Sequence, residues 1–412
     1  MTATPPDPRR APLSFVEFVA LMAATMALPA LAIDTMLPAL PLMGRDFVVA
    51  DGNSLQWVVT AFVIGSGAGQ LVYGPVSDRF GRRPVLLVAL ALYVVLSAVA
   101  SAAPSLHSLL AARAAQGMCV SAATVICRSI VRDRYSGATM ARVLSTIFIV
   151  FLIAPILAPS LGQLLLLIVN WRGIFGFLGL YAVGVAIWLA TRLPETLRPE
   201  ARRSLGAAHL LEAARFVLTE PTSMLYTIGM TVMFGSLLAY VATVPQIFAG
   251  AFRAPQLMAV TFAGCAGMMA VASFLNSRIV ERVGMHRVSH TALIAFIAVT
   301  ALHAGVAFLG HETIVTFAVL QSATMACFGL AVSNFGAIAM QPMGKIAGSA
   351  ASLQGVISTI GGALVAALIG HQWSGTVTFL PAGAFCCGVV ALGCVLIAEK
   401  AVLFRNRAYP PH

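Results

Sequence analysis

Residues 74–84 have the sequence GPVSDRFGRRP and lie between two long apolar blocks, at about 54–77 and 84–103. Gly81 permits a tight reversal of the chain, and Pro84 suits the first turn of a helix. The stretch therefore predicts two helices joined by a short basic turn. A similar stretch, ERVG at 281–284, echoes DRFG at 78–81. This echo predicts an internal repeat.

The composition places the chain in a lipid bilayer. Of its 412 residues, 59% are hydrophobic and 9% are charged, and the mean hydropathy is +0.93. Soluble domains carry about 25% charged residues, so a soluble enzyme and a disordered scaffold are excluded. The apolar residues run in blocks and do not alternate with polar ones, which also excludes a transmembrane β-barrel.

Twelve apolar blocks reach the length of about 20 residues that a membrane-spanning helix needs. We predict spans at 15–41, 54–77, 84–103, 106–131, 139–168, 172–192, 222–249, 256–280, 287–309, 312–340, 345–370 and 375–398. The fold class is an all-α membrane protein with 12 transmembrane helices in two six-helix halves. Its expected parts are a tail at 1–14, bundles at 15–192 and 222–398, a linker at 193–221 and a tail at 399–412. The first block is too long for a signal-peptide core, so we expect it to be retained.

The basic residues predict the orientation. With the N-terminus inside, 21 of the 25 fall on cytoplasmic segments, and only Arg45, Arg172 and Arg253 fall on outer loops. Cytoplasmic loops carry such an excess. We therefore predict a multi-pass protein of a bacterial inner membrane with both termini cytoplasmic. The net charge of +11 is then a topology signal, and we expect no nucleic-acid partner.

Asp34 in the first span and Arg113 in the fourth are charges that a bilayer tolerates poorly. Each lies seven residues from the outer end of its span, about 10 Å deep at 1.5 Å per residue. At one depth they could form an ion pair. One hypothesis is a structural pair that fixes helix register. The other is that Asp34 carries a proton, because burial and a nearby arginine act oppositely on the proton affinity of a carboxyl.

Two further features have open interpretations. In the fifth span, APILAPSLG at 154–162 places two prolines four residues apart beside a stripe of small residues, which suits a hinge or simple close packing. In the turn, Asp78 is poorly placed for the dipole of its own helix, and we expect it to face the start of the eleventh span near Lys345.

The seven cysteines all lie in predicted spans, without the spacing of metal ligands. We predict packing roles for them and neither a metal site nor a cofactor. Of the eight histidines, His303 is the one placed deep in a span. At neither membrane interface does the sequence place a cluster of acids or histidines or a nucleophile. The sequence therefore does not indicate an enzyme.

Several of these segments resemble one family. The chain is similar to the major facilitator superfamily, and within it to the 12-span drug–proton antiporters of the bicyclomycin/chloramphenicol-resistance type (Bcr/CflA). The resemblance is carried by residues 34–41, 70–84, 113–117, 128–133, 154–162, 170–172 and 193–197. It is dense over the first 200 residues, and the second half matches chiefly by span layout.

The resemblance implies roles for particular residues. Asp34, Arg113 and Gln116 would serve proton coupling. A conformational latch would comprise Gly74, Asp78, Arg79, Gly81, Arg82, Arg83 and Asp133. An antiporter-motif hinge would comprise Pro155, Pro159 and Gly162. Unlike some relatives, the chain has no second acid in its first span near Thr25.

We therefore predict an exporter of small amphipathic compounds that works by alternating access and uses protons as the coupling ion. Family habit implies a monomer. We expect the substrate cavity to be lined by Tyr240, Met233, Phe234, Gln321, Asn334 and Phe335. A proton symporter that takes up a small metabolite is the alternative on this fold. A membrane receptor or scaffold is a remote alternative, since no long soluble module is present.

Overall fold

The protein is an all-helical membrane protein, seen here in a computed structural model that describes residues 13–49, 52–135, 143, 147, 154, 157–197, 215 and 218–404. The helices of this part of the chain are α1 Phe15–Asp34, α2 Leu40–Asp46, α3 Trp57–Phe80, α4 Arg82–Ser101, α5 Leu106–Arg134, α6 Leu157–Leu166, α7 Trp171–Arg192, α8 Pro221–Gln246, α9 Met258–Val283, α10 Met285–Phe308, α11 Ile314–Met340, α12 Ala347–Gly370 and α13 Phe379–Ala398.

Eleven stretches of the described residues are helical, long and apolar enough to cross a membrane. They match eleven of the twelve predicted spans and confirm the fold class. The fifth predicted span, 139–168, is described only in part, chiefly as α6. The proposed division into tails, bundles and linker stays a prediction.

Local sequence fixes where several helices begin. The first four N–H groups of a helix lack partners within it. Ser105 and Thr313 form capping boxes with Ser108 and Thr316, and Asn170 accepts from the N–H of Gly173 at 3.2 Å. Each cap follows a short turn, so the next helix begins at a defined residue.

The two halves repeat the same packing. In the first half α3 packs on α5 and α4 on α7, and in the second half α9 packs on α11 and α10 on α13. Gly81 and Gly284 join equivalent helix pairs with nearly the same backbone, φ 103° and ψ 151° against φ 91° and ψ 148°. A positive φ of this size strains residues that carry a side chain. The echo in sequence is therefore an echo in structure.

Glycines set the distance between α3 and α5. A Cβ added to Gly65 would collide with the carbonyl of Ala114, and one added to Gly117 would collide with the carbonyl of Phe62. The two backbones lie closer than any side chain allows. This places the buried residues of α5 directly against α3.

The bundle has two ends, which we call the turn side and the far side. The turn side carries Gly81 and Gly284, and the far side carries the end of α2 and the starts of α3 and α5. The halves meet where α3 packs on α12 and where the far-side end of the first span packs on α8.

Candidate functional site

The first span is broken beside Asp34. α1 ends at Asp34, a short 3-10 turn covers Leu37–Ala39, and α2 begins at Leu40. Pro38 and Pro41 lack the N–H groups that would bond the preceding turn. The N–H of Met36 instead donates to the carbonyl of Ile33 at 3.3 Å. Backbone carbonyls at the end of α1 are thus open to other donors.

Arg113 supplies one of these donors. Its Nη2 donates to the carbonyl of Ala32 at 3.1 Å, and its Nε donates to the carbonyl of Val58 at 3.3 Å. The guanidinium is fully buried and lies over the ring of Phe62, 4.1 Å from its centroid. A cation at a helix C-terminus is favoured by the helix dipole. Arg113 therefore caps the broken helix.

Gln116 holds the guanidinium from the other side. Arg113 Nη1 donates to Gln116 Oε1 at 3.1 Å, and Gln116 Nε2 donates to Ser97 Oγ at 2.9 Å. Gln116 and Ser97 are buried. The structure thus brings together two of the three residues predicted for proton coupling.

The predicted ion pair between Asp34 and Arg113 is absent from this structure. The two residues do lie at one depth, because Arg113 bonds Ala32 two residues before Asp34. The guanidinium instead donates to a carbonyl that the helix break has freed. Asp34 is 5% exposed, and no described residue forms a hydrogen bond or ion pair with its carboxylate.

The carboxylate of Asp34 lies within electrostatic reach of the second half. Its charge acts on the hydroxyl of Tyr240, which lies beside the thiol of Cys265. Cys265 accepts a hydrogen bond from Ser322 at 3.4 Å. Tyr240 stacks on Phe262, with ring centroids 5.6 Å apart. A buried acid of one half therefore meets a small polar cluster of the other.

Sequence reasoning missed part of this cluster. Cys265 was expected only to pack, and Ser322 carried no signal, because their relation to Asp34 depends on how the halves dock. Small polar residues such as cysteine and serine are common in any apolar span. The hydropathy pattern holds nothing that would have distinguished these two.

The other residues predicted for a substrate cavity are dispersed. Met233 and Phe335 are fully buried in the core of the second half, where Phe335 packs edge-on against Tyr226. Their role in lining a substrate cavity stays a prediction. Their helical phase turns them toward neighbouring helices of their own half.

The remaining three residues have mixed surroundings. Phe234 packs where α8 meets α12, close to Gly362. Asn334 Nδ2 donates to Asn276 Oδ1 at 2.8 Å, between α11 and α9. Gln321 is buried in α11. Of the six residues, Tyr240 has an electrostatic interaction with the carboxylate of Asp34.

The fifth span approaches the same break. A Cβ on Gly162 would collide with the carbonyl of Thr35, so α6 packs directly against the residue that follows Asp34. Pro159 lies in the first turn of α6, and Pro155 lies outside the described residues. The role of these residues as a hinge stays a prediction.

The turn that was predicted to form a latch is built around Arg82. Its side chain is 3% exposed and pairs with Asp78 at 2.5 Å and with Asp133 at 3.1 Å. Ser77 Oγ accepts a further hydrogen bond at 2.7 Å. The described ion pair of Asp78 thus lies within its own half, and its contact with the start of the eleventh span near Lys345 stays a prediction. Asp133 is the acidic partner that the resemblance implied.

Glu195 completes the turn from the linker side. Its carboxylate accepts from the N–H groups of Arg82 and Arg83 at 3.0 and 3.2 Å, at the N-terminus of α4. Helix N-termini favour such anions. Gly81 leaves room for the carboxylate, because a Cβ there would lie 2.6 Å from Glu195 Oε2. Arg79, by contrast, is exposed beside Phe80.

The halves are joined on the far side. Gln56 Nε2 donates to Gln246 Oε1 at 3.0 Å and to the carbonyl of Gly370 at 2.9 Å. Nearer the turn side, Gln70 Nε2 donates to Thr359 Oγ1 at 3.1 Å. At Gly74 this contact has ended, because an added Cβ would meet no atom within 4 Å. The described hydrogen bonds between the halves thus lie at Gln56 on the far side and at Gln70.

Replacing Gln56 with alanine is expected to loosen the far-side closure. The change removes two buried hydrogen bonds between the halves, each worth about 0.5–1.5 kcal/mol, so the far-side-open population should rise about tenfold. Spin labels at exposed positions His107 and Ser374, in a version lacking the native cysteines, would report a longer distance. Gln372→Ala, an exposed far-side glutamine, is the control. Equal distances in all three proteins would contradict the role of Gln56.

Comparison with known proteins places the chain among membrane transporters. Residues 13–366 match the profile described as Major Facilitator Superfamily. A bicyclomycin resistance protein homolog from Haemophilus influenzae is 28% identical over 359 residues, covering 85% of this chain and 88% of that protein. A chloramphenicol resistance protein from Pseudomonas aeruginosa is 29% identical over 399 residues, covering 96% and 87%.

The fold has solved counterparts. A crystal structure of a D-xylose–proton symporter superposes with a TM-score of 0.75 at 15% identity, over 96% of this chain and 100% of that one. The profile match spans most of the chain, and the repeated six-helix packing agrees with it. The chain therefore belongs to the Major Facilitator Superfamily and is a membrane transporter, not an enzyme.

Proposed function

We propose that this transporter is a proton-coupled exporter of small amphipathic compounds. One observation carries the proposal: Asp34 is a buried carboxyl without a described cationic partner, at the place where the two halves meet. An ionised carboxylate is costly in such surroundings unless it is paired or hydrated. Binding a proton removes that cost.

The geometry supports a coupling cycle between two facings. In the structure Gln56 joins the halves on the far side, and the proposed cycle would open that side and close the turn side in alternation. When the halves rock, the Tyr240 hydroxyl moves relative to Asp34, because the two residues belong to different halves. The carboxyl then holds its proton with different strength in the two states, as coupling requires.

The orientation and direction complete the proposal. Following the basic residues, we place the turn side in the cytoplasm of a bacterial inner membrane, with both termini inside. Gln56 would then join the halves at the outer face of the membrane. Relatives named for bicyclomycin and chloramphenicol resistance favour export. A potential of 100 mV contributes about 2.3 kcal/mol per charge, enough for a gradient of about 50-fold.

The residues support a substrate that has an apolar part and a neutral or anionic polar group. The face near Asp34 presents the aromatic rings of Tyr240 and Phe262. On the turn side of α5, Arg128 is exposed and forms no ion pair with a described residue. The proposal also assigns a latch role to the turn around Arg82 and a hinge role to the fifth span. A monomer without a cofactor is sufficient for this cycle.

Everted membrane vesicles test the direction of coupling. Respiration acidifies their interior, and a pH-sensitive dye reports the gradient. Addition of chloramphenicol or bicyclomycin, the compounds in the names of the relatives, should raise the internal pH, because each compound enters in exchange for a proton. Vesicles without the protein are the control.

A proton symporter is the second candidate, since a D-xylose–proton symporter shares the fold. It predicts the opposite sign, because an added substrate would carry protons into the vesicles and acidify them further. A response of that sign would overturn export. No response to either compound, in vesicles from cells that the protein makes resistant, would overturn proton coupling.

A further inference from the structure

A second group of buried titratable side chains lies in the second half, on the turn side. Tyr226 of α8, His286 and His290 of α10, and Glu399 just after α13 are each at most 2% exposed. The Tyr226 hydroxyl lies 2.9 Å from His290 Nε2 and donates to Glu399 Oε1 at 2.9 Å. His286 Nε2 is 3.5 Å from the same carboxylate oxygen.

The chain after α13 folds back onto this cluster. We call residues 399–404 the C-terminal hook. The backbone N–H of Phe404 donates to His290 Nδ1 at 3.0 Å, and its ring lies edge-on to the imidazole at 5.8 Å. Arg287 Nε donates to the carbonyl of Phe404 at 3.4 Å.

The hook holds a strained backbone. Lys400, Ala401 and Phe404 have φ values of 50°, 60° and 66°, a region that residues with side chains rarely adopt. Such strain persists only where the surrounding contacts impose it. The bonds from His290 and Arg287 to Phe404 are such contacts, so loss of one of them favours release.

The hydrogen bonds fix where the proton of His290 sits. A backbone N–H can only donate, so Nδ1 must carry a lone pair and His290 must be neutral, with its proton on Nε2. Nε2 then donates to the Tyr226 oxygen, while the Tyr226 hydroxyl donates to Glu399. A second proton can bind only at Nδ1, where it would point at the N–H of Phe404 and break that bond.

We propose that this cluster is a proton-binding site of the second half and that protonation of His290 releases the C-terminal hook. Glu399 supplies the negative charge that attracts the proton through Tyr226, and His286 and Arg287, on the helix of His290 itself, oppose it. From the adjoining elements, Lys400 is exposed, and α11 contributes the uncharged Phe335. The inference is independent of the direction of transport.

Hydrogen exchange of the full-length protein in detergent tests the proposal. The amides of the hook should be protected at about pH 8 and should lose about tenfold of that protection near pH 5, after correction for intrinsic exchange. His290→Asn keeps an acceptor for the Phe404 N–H but cannot titrate, so its protection should not change with pH. His107→Asn, an exposed histidine on the far side, should behave as wild type.

A second variant keeps the test decisive if His290→Asn folds poorly. Ala401→Gly relieves the positive φ, so its hook should stay protected to a lower pH than that of wild type. The proposal is overturned if wild type and His290→Asn lose protection alike. It is equally overturned if His107→Asn removes the response, or if Ala401→Gly releases its hook at the same pH as wild type.

Discussion

Asp34→Asn is expected to abolish proton-driven transport while leaving the protein folded in the membrane. Asparagine has nearly the shape of aspartate and suits the buried site beside Tyr240, but it cannot exchange a proton. A substrate gradient of about 50-fold at 100 mV should therefore fall to about one. Exchange of labelled for unlabelled substrate, which needs no proton, should continue.

A second aspartate of the same span provides the control for Asp34→Asn. Asp46 lies near the far-side end of the same span, about half exposed, and bonds Arg172 at 3.0 Å. Asp46→Asn should keep the gradient, because this carboxylate lies outside the junction of the halves. Accumulation by Asp34→Asn against a gradient, with the same pH dependence as wild type, would show that another group carries the proton.

Arg82→Ala is expected to have the largest effect on stability. The buried guanidinium pairs with two carboxylates, of Asp78 and Asp133. Removing one member of a fully buried ion pair costs about 3–5 kcal/mol. The cost here should be lower, about 1–3 kcal/mol, because the side chain of Asp78 is 37% exposed and that of Asp133 is 16% exposed. The thermal unfolding transition in detergent should shift down by several degrees. The unfolding temperature of Arg82→Lys should lie between those of wild type and Arg82→Ala, because lysine keeps the positive charge but lacks the planar guanidinium.

The neighbouring arginine provides the control. Arg79 is exposed and lies over Phe80, so Arg79→Ala should change the free energy of unfolding by less than about 0.5 kcal/mol. If the two alanine variants unfold at the same temperature, the ion-pair centre at Arg82 does not stabilise the turn. An active, stable Arg82→Ala would also remove the latch from the transport cycle.

Hydropathy and turn chemistry were sufficient to predict the spans. Apolar blocks of about 20 residues have few alternatives in a bilayer, and glycine at 81 and 284 marks reversals that need a positive φ. The depth of Asp34 and Arg113 could also be predicted, since helix rise is constant. Pairing could not, because it depends on which carbonyls the break at Pro38 leaves open.

Clusters assembled from distant segments escaped prediction for a related reason. Tyr226 and Glu399 are 173 residues apart in the chain, and Phe404 and His290 are 114 apart. Their meeting depends on how α8, α10 and α13 pack, and no local pattern records it. The helix neighbours of Met233 and Phe335 could not be predicted either, because a span that is apolar all round gives no indication of which face looks inward.

The length of α5 has a mechanical consequence. One end of this helix holds Arg113 at the break in the first span, and the other holds Asp133 against Arg82. Twenty residues separate them, about 30 Å of continuous helix, braced along α3 by the glycine contacts. Such a rigid helix tilts as a unit and does not bend. A small displacement beside Asp34 therefore produces a larger displacement at the opposite membrane face.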